Sequence, residues 1–105
     1  MVAARQIRAF SRRLAEEYKP RRIVLFGSYA RRKPRPDSDV DLLVVMPFNG
    51  SGVSKAAEIV RKLNPRFAVD LVIRTPDDVE RRVAMNDFFL KEAANGKLLY
   101  EAPDA

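Results

Sequence analysis

Residues 27 to 41 read Gly27-Ser28-Tyr29-Ala30-Arg31-Arg32-Lys33-Pro34-Arg35-Pro36-Asp37-Ser38-Asp39-Val40-Asp41. A Gly-Ser pair follows one apolar run, Ile23-Val24-Leu25-Phe26, and an Asp-x-Asp pair opens the next, Val40 to Met46. Both runs have the length and composition of strands. Side chains alternate along a strand, so Asp39 and Asp41 point to one side and Val40 to the other. Two like charges side by side repel unless something positive sits between them. Magnesium is hard and oxygen-loving and is usually shared with phosphate oxygens. Gly27 lacks a side chain and lets a ligand approach the backbone closely. The amides that open a brief helix from Ser28 to Arg31, with the Ser28 hydroxyl, suit phosphate oxygens. Taken singly, each feature is also met by a plain capped turn or a solvent-facing strand start. Held together on adjacent strands, they suit a nucleoside triphosphate.

On the amino-terminal side, Ala3, Ile7, Phe10, Leu14 and Tyr18 recur at helical spacing, and Pro20 stops that helix. Lys33 to Ser38 holds two prolines and reads as a loop. Val40 to Met46 is apolar on both faces after Asp41, which predicts a central, covered strand. Asn49 to Gly52 is a turn. Val53, Ala56, Ala57, Val60 and Leu63 mark a second long helix, ended by Asn64-Pro65. Phe67 to Ile73 reads as a third strand. Thr75-Pro76-Asp77-Asp78 starts a helix with a capping hydroxyl, a proline and first-turn acids. Asn86 or Asp87 caps a further helix that Gly96 ends. Leu98-Leu99-Tyr100 adds a short edge strand. The order predicts an α+β or α/β fold with a small mixed sheet, in a single domain over residues 1–105.

Asp70 lies inside the otherwise apolar third strand. A lone carboxylate there is costly unless paired or bound to metal. If the third strand neighbours the second, Asp70 can face Asp39 and Asp41. Three carboxylates on two adjacent strands can hold two metal ions about 4 Å apart. The bland reading places Asp70 on an exposed edge or against Arg74.

Composition narrows the chemistry. The chain has no cysteine and no histidine. Thiolate zinc sites, imidazole ligands and His-based nucleophile activation are therefore excluded. Any catalysis must use carboxylates, hydroxyls, cations and bound metal. No apolar run approaches the roughly 20 residues that span a bilayer, and the first residues lack a signal-peptide apolar core. A cytoplasmic location and no membrane partner are expected. The net charge is +6, and residues 1 to 35 hold eleven of the 20 Lys and Arg against only Glu16 and Glu17. That asymmetry fits a solvated basic face, a polyphosphate or an acidic protein partner. Nucleic-acid contact is allowed but not favoured.

Gly27-Ser28, Ala30-Arg31 and Pro36-Asp37-Ser38-Asp39-Val40-Asp41-Leu42 together resemble the signature of the polymerase-beta-like nucleotidyltransferase superfamily. The short chain looks like its minimal nucleotidyltransferase (MNT) branch. Arg32 stands where that family usually has glycine. The resemblance implies a nucleotidyltransferase fold, a small mixed β-sheet flanked by helices. It implies that Gly27 and Ser28 bind the β- and γ-phosphates, and that Asp39 and Asp41 ligate two magnesium ions. Asp70 would complete one metal site and help take the proton from an acceptor hydroxyl. That hydroxyl would attack the α-phosphate in line and release pyrophosphate.

Larger relatives carry a second domain that presents the acceptor, and this length leaves no room for one. MNT-like proteins resemble the antitoxin half of toxin–antitoxin pairs. The implied reaction adds AMP from ATP to a tyrosine of a HEPN-type toxin. A binding-only antitoxin, or transfer to a small molecule or a nucleic-acid end, are the alternatives. A homo-oligomer through an exposed edge strand or the Phe88-Phe89 pair stays open.

Overall fold

The computed structural model describes residues 1–103. Asp104 and Ala105, the last two residues of the expected 1–105 span, lie outside the described residues. Helix α1 runs Ala4–Tyr18, β1 Arg22–Phe26, α2 Gly27–Ala30, β2 Val40–Val45 and α3 Gly52–Leu63. Then follow β3 Val69–Arg74, α4 Pro76–Ala84, α5 Phe88–Ala94 and β4 Lys97–Glu101. The strands form one sheet in the order β3-β2-β1-β4. Strand β1 pairs antiparallel with β2 and β4, whereas β2 and β3 run parallel. The sheet is therefore mixed, and a parallel pair needs a crossover, which α3 supplies.

Helices cover both sides. Ile7, Phe10 and Leu14 of α1 and Ile59 and Leu63 of α3 pack on Ile23, Leu25, Val40, Leu42 and Val44. Val79 of α4 and Leu90 and Ala93 of α5 pack on Val24, Phe26, Leu43 and Val45. Strand β2 is covered on both faces, as its apolar run predicts. The α+β architecture with a mixed sheet is the expected one.

Local signals explain the boundaries. Lys19 ends α1 in the left-handed region, φ 48°, and its N–H donates to the Ala15 carbonyl at 2.9 Å. Thr75 Oγ1 caps α4 by accepting from Asp78 N at 3.2 Å. Asp87, rather than Asn86, caps α5 by accepting from Leu90 N at 3.0 Å. Asn86 turns the chain between α4 and α5 with φ 61°. The third strand starts at Val69, two residues later than the apolar run suggests. The Phe67 ring packs edge-on against Phe10, with centroids 5.7 Å apart, and closes the core instead of extending the strand.

Strand β4 is an edge strand, as expected, and β3 is the other. Tyr100 pairs with Ile23 and Leu98 with Val24, so Leu99 is an extra residue in a β-bulge. Among the described residues, no helix is long and apolar enough to cross a membrane.

Candidate active site

The β2 register brings the acidic residues together. Asp41 is opposite Phe26 on β1 and beside Asp70 on β3. Neighbouring residues in register share a sheet face, so Asp41 and Asp70 point to the same side. That side is the one with Phe26 and Leu43, beneath α4 and α5. Asp39 precedes Asp41 by two residues and takes the same side. The strand starts are held together where Val40 N donates to the Ala68 carbonyl at 3.0 Å.

Asp70 is exposed. Of the two placements the sequence left open, the exposed edge is the one observed: β3 is an edge, and its inward residues are Leu71 and Ile73. Burial therefore does not oblige Asp70 to find a cation. Its placement beside Asp41 is what links it to the site. Among the described residues, no three carboxylates converge as they stand tightly enough to hold one ion between them. They still sense each other. Burial first, then the charges of Asp70 and Asp39, push the Asp41 carboxyl above its ordinary value, while Arg31 pulls the other way. No hydrogen bond or ion pair within the described residues ties down any of the three.

Gly27 fits directly against this cluster. Its φ is 75°, a conformation that L side chains rarely adopt. A Cβ added there would collide with Asp41 Oδ2 and lie 3.1 Å from its Cγ. The Asp41 carboxylate thus lies directly against the Gly27 backbone, in room that only a residue without a side chain leaves. This close approach and the oxygen-only donor set fit a hard divalent ion.

The turn after Gly27 is closed by its own backbone. Arg31 N donates to Gly27 O at 3.1 Å and Lys33 N to Ser28 O at 3.0 Å. Arg32 sits at φ 59°, the conformation its glycine counterpart would adopt freely. The turn keeps its shape at the cost of backbone strain. Tyr29 Oη accepts from Val2 N at 3.0 Å and fixes α2 to the start of the chain. In the following loop, Ser38 Oγ accepts from Arg35 N at 2.8 Å, which sets the approach to Asp39.

One residue that the sequence left without a role is brought in by the fold. Arg31 Nη1 donates to Glu92 Oε1 of α5 at 2.9 Å. The pair lines a cavity of about 500 Å³ together with Phe26, Gly27, Ala30, Asn95 and Lys97. No local signal pairs Arg31 with Glu92, since 61 residues separate them.

Three comparisons bear on this site. No curated protein matches the chain. A crystal structure of a candidate nucleotidyltransferase from Sulfolobus solfataricus, at 1.40 Å resolution, superimposes with a TM-score of 0.64. It is 18% identical, and the match covers 92% of this chain and 78% of that one. At that identity the likeness shows the fold. The nucleotidyltransferase domain family matches residues 7–101, from the first buried turn of α1 to the end of β4. The Gly-Ser turn and all three aspartates fall inside that span, and the chain belongs to the nucleotidyltransferase domain family.

Proposed function

We propose that this protein transfers AMP from ATP to a hydroxyl of a protein partner, a tyrosine of a HEPN-type toxin, and so acts as an MNT-type antitoxin. Nucleotidyl transfer follows from the family. The observation that carries the site is the Asp41–Asp70 register with Gly27 pressed against Asp41. Two magnesium ions, held by Asp39 and Asp41 with Asp70 completing one site, would neutralise charge on the triphosphate and the leaving pyrophosphate.

The chain's own groups do the rest. The amides after Gly27 and the Ser28 hydroxyl hold the β- and γ-phosphates. Arg31, at the end of the same turn, adds positive charge. Asp70 is exposed and therefore open to an incoming hydroxyl, whose proton it accepts. The hydroxyl oxygen bonds to the α-phosphorus as the bond from that phosphorus to the β-bridging oxygen breaks. Pyrophosphate leaves with the electron pair of that bond. The exposure of the cleft supports an acceptor as large as a protein.

Arg32 bears on the alternative of a binding-only antitoxin. Its backbone takes the left-handed conformation and leaves the turn intact. That geometry favours the active enzyme over the contact-only reading.

The test is incubation of the protein with α-labelled ATP, magnesium and a HEPN-type partner. Label on a partner tyrosine, lost when Asp39→Ala and Asp41→Ala are combined, is the expected result. Binding without label would leave the contact-only antitoxin. Label that survives the double substitution would remove the three aspartates from the chemistry.

A further inference from the structure

Two phenyl rings stand in water at the start of α5. Phe88 is 82% exposed and Phe89 52% exposed. Such rings normally bury most of their area. They are not on a loose segment: α5 is pinned to the sheet by buried Leu90 and Ala93 and capped by Asp87.

Their direction is fixed by two contacts. The Phe89 ring meets Phe26 edge-on, with centroids 5.6 Å apart and planes at 90°. Phe26 is the register partner of Asp41. Glu92, one turn further along α5, reaches Arg31 on the turn after Gly27. Positions three and four apart lie on one helix face, so Phe88, Phe89 and Glu92 form a single stripe. Through Phe26 and Arg31 this helix face adjoins Asp41 and the turn after Gly27.

We infer that this stripe is the base-binding wall of the nucleotide site, with a π-face of Phe89 stacking on the nucleobase and Phe88 extending the platform. The inference rests on the reading that Gly27, Ser28 and the aspartates take the triphosphate. A nucleotide held there by its phosphates must place its sugar and base in the same cleft. Phe89 keeps about half of its surface exposed beside the Phe26 contact, and that surface is available for stacking. The stripe offers little to read a base edge with. Asn95 Nδ2, at the carboxyl end of α5, already donates to Lys91 O at 2.9 Å. Stacking without edge readout tolerates different bases and favours larger ones. ATP and GTP are therefore bound within severalfold of each other, and both more tightly than UTP.

The test compares two ligands by calorimetry in magnesium: ATP and inorganic tripolyphosphate, which has no base. Phe89→Ala and Phe89→Leu should each weaken ATP binding roughly tenfold and leave tripolyphosphate unchanged. Phe89→Tyr should restore ATP binding. Phe88→Ala, whose ring has little packing to lose, should give a smaller loss of the same kind. Equal loss for both ligands, or no loss for ATP, overturns the stacking site. A patch that instead docks an aromatic acceptor or a second copy would show as unchanged ATP affinity with weaker partner binding or altered mass in solution. If the wild-type protein binds neither ligand, the underlying nucleotide reading fails, and the stacking site with it.

Discussion

Asp41 on β2 and Asp70 on β3 are partners in a parallel register. Parallel pairing puts both at the beginnings of their strands, where they share a face and a mouth with the turn that ends β1. The protein itself supplies little to offset their charge. Among the described residues Arg31 is the cation that acts on Asp41, and its guanidinium is shared with Glu92.

Neutralising Asp41 should therefore stabilise the metal-free protein. Burial first, then Asp70 and Asp39, raise the folded-state pKa of Asp41 above its unfolded value. A group of that kind contributes stability below the unfolded pKa and loses it as pH rises through the folded one. At pH 7 the ionised carboxylate is a cost. Asp41→Asn should raise Tm at pH 7 without metal, and the gap should close as pH falls below the ordinary value of 3.8. Magnesium should raise the Tm of the wild type and not of the variant. Transfer activity should fall at least about hundredfold. Thermal melts across pH, with and without magnesium, check all of this.

Gly27 and Arg32 should respond in opposite directions to exchange of glycine. Gly27→Ala meets both a positive φ and Asp41 Oδ2, and should cost about 1–3 kcal/mol together with most of the activity. Arg32→Gly relieves a left-handed arginine at φ 59° and should gain on the order of 1 kcal/mol. Denaturant midpoints of the two variants measure both effects.

Asp78 offers a contrast in sign. Burial alone would raise its pKa, but hydrogen bonds from Arg82 and Arg81 outweigh that and hold the carboxyl below its ordinary value. Such a group contributes stability above its unfolded pKa and loses it as pH falls through the folded one. It also sits in the first turn of α4, where a negative charge suits the helix dipole. Asp78→Ala should lower stability at pH 7 by about 1 kcal/mol, with the deficit shrinking in acid. A pH series of melts would show Asp41→Asn and Asp78→Ala shifting Tm to opposite sides of the wild type at neutral pH.

The Arg31–Glu92 pair is exposed on both sides, at 59% and 64% of the side chains. Such a pair contributes no more than about 1 kcal/mol to folding. Its loss should be felt in binding instead. Glu92→Gln releases Arg31 toward the phosphates and should tighten binding of magnesium ATP severalfold with little change in Tm. Unchanged affinity would mean that Arg31 takes no part in holding the nucleotide.

Much of the site was legible because its parts are close in sequence. Gly27 directly follows β1, and Asp39 and Asp41 flank the start of β2 after one short helix and loop, so alternation and turn chemistry place them. Asp70 was legible only conditionally. Whether β3 lies beside β2 depends on how α3 crosses the sheet, which no local pattern specifies. Its exposure stood only as an alternative for the same reason: Val69 to Ile73 looks buried in sequence, and only the sheet order makes β3 an edge. Phe67 reads as a strand residue by propensity, and packing against Phe10 overrides it. Phe88 and Phe89 carry no sequence mark of exposure. Their setting depends on the angle of α5 across the sheet, which buried Leu90 and Ala93 decide.

The extra residue in β4 has a consequence for handling the protein at high concentration. An outermost strand with a regular ladder is a template onto which a stray chain can add, the first step of fibril growth. The kink at Leu99 disrupts that template on one flank of the molecule, and the charge of Asp70 guards the other. Deleting Leu99 to straighten the ladder should raise the tendency to seed amyloid-like deposits above that of the parent chain, read by a dye that fluoresces on cross-β stacks.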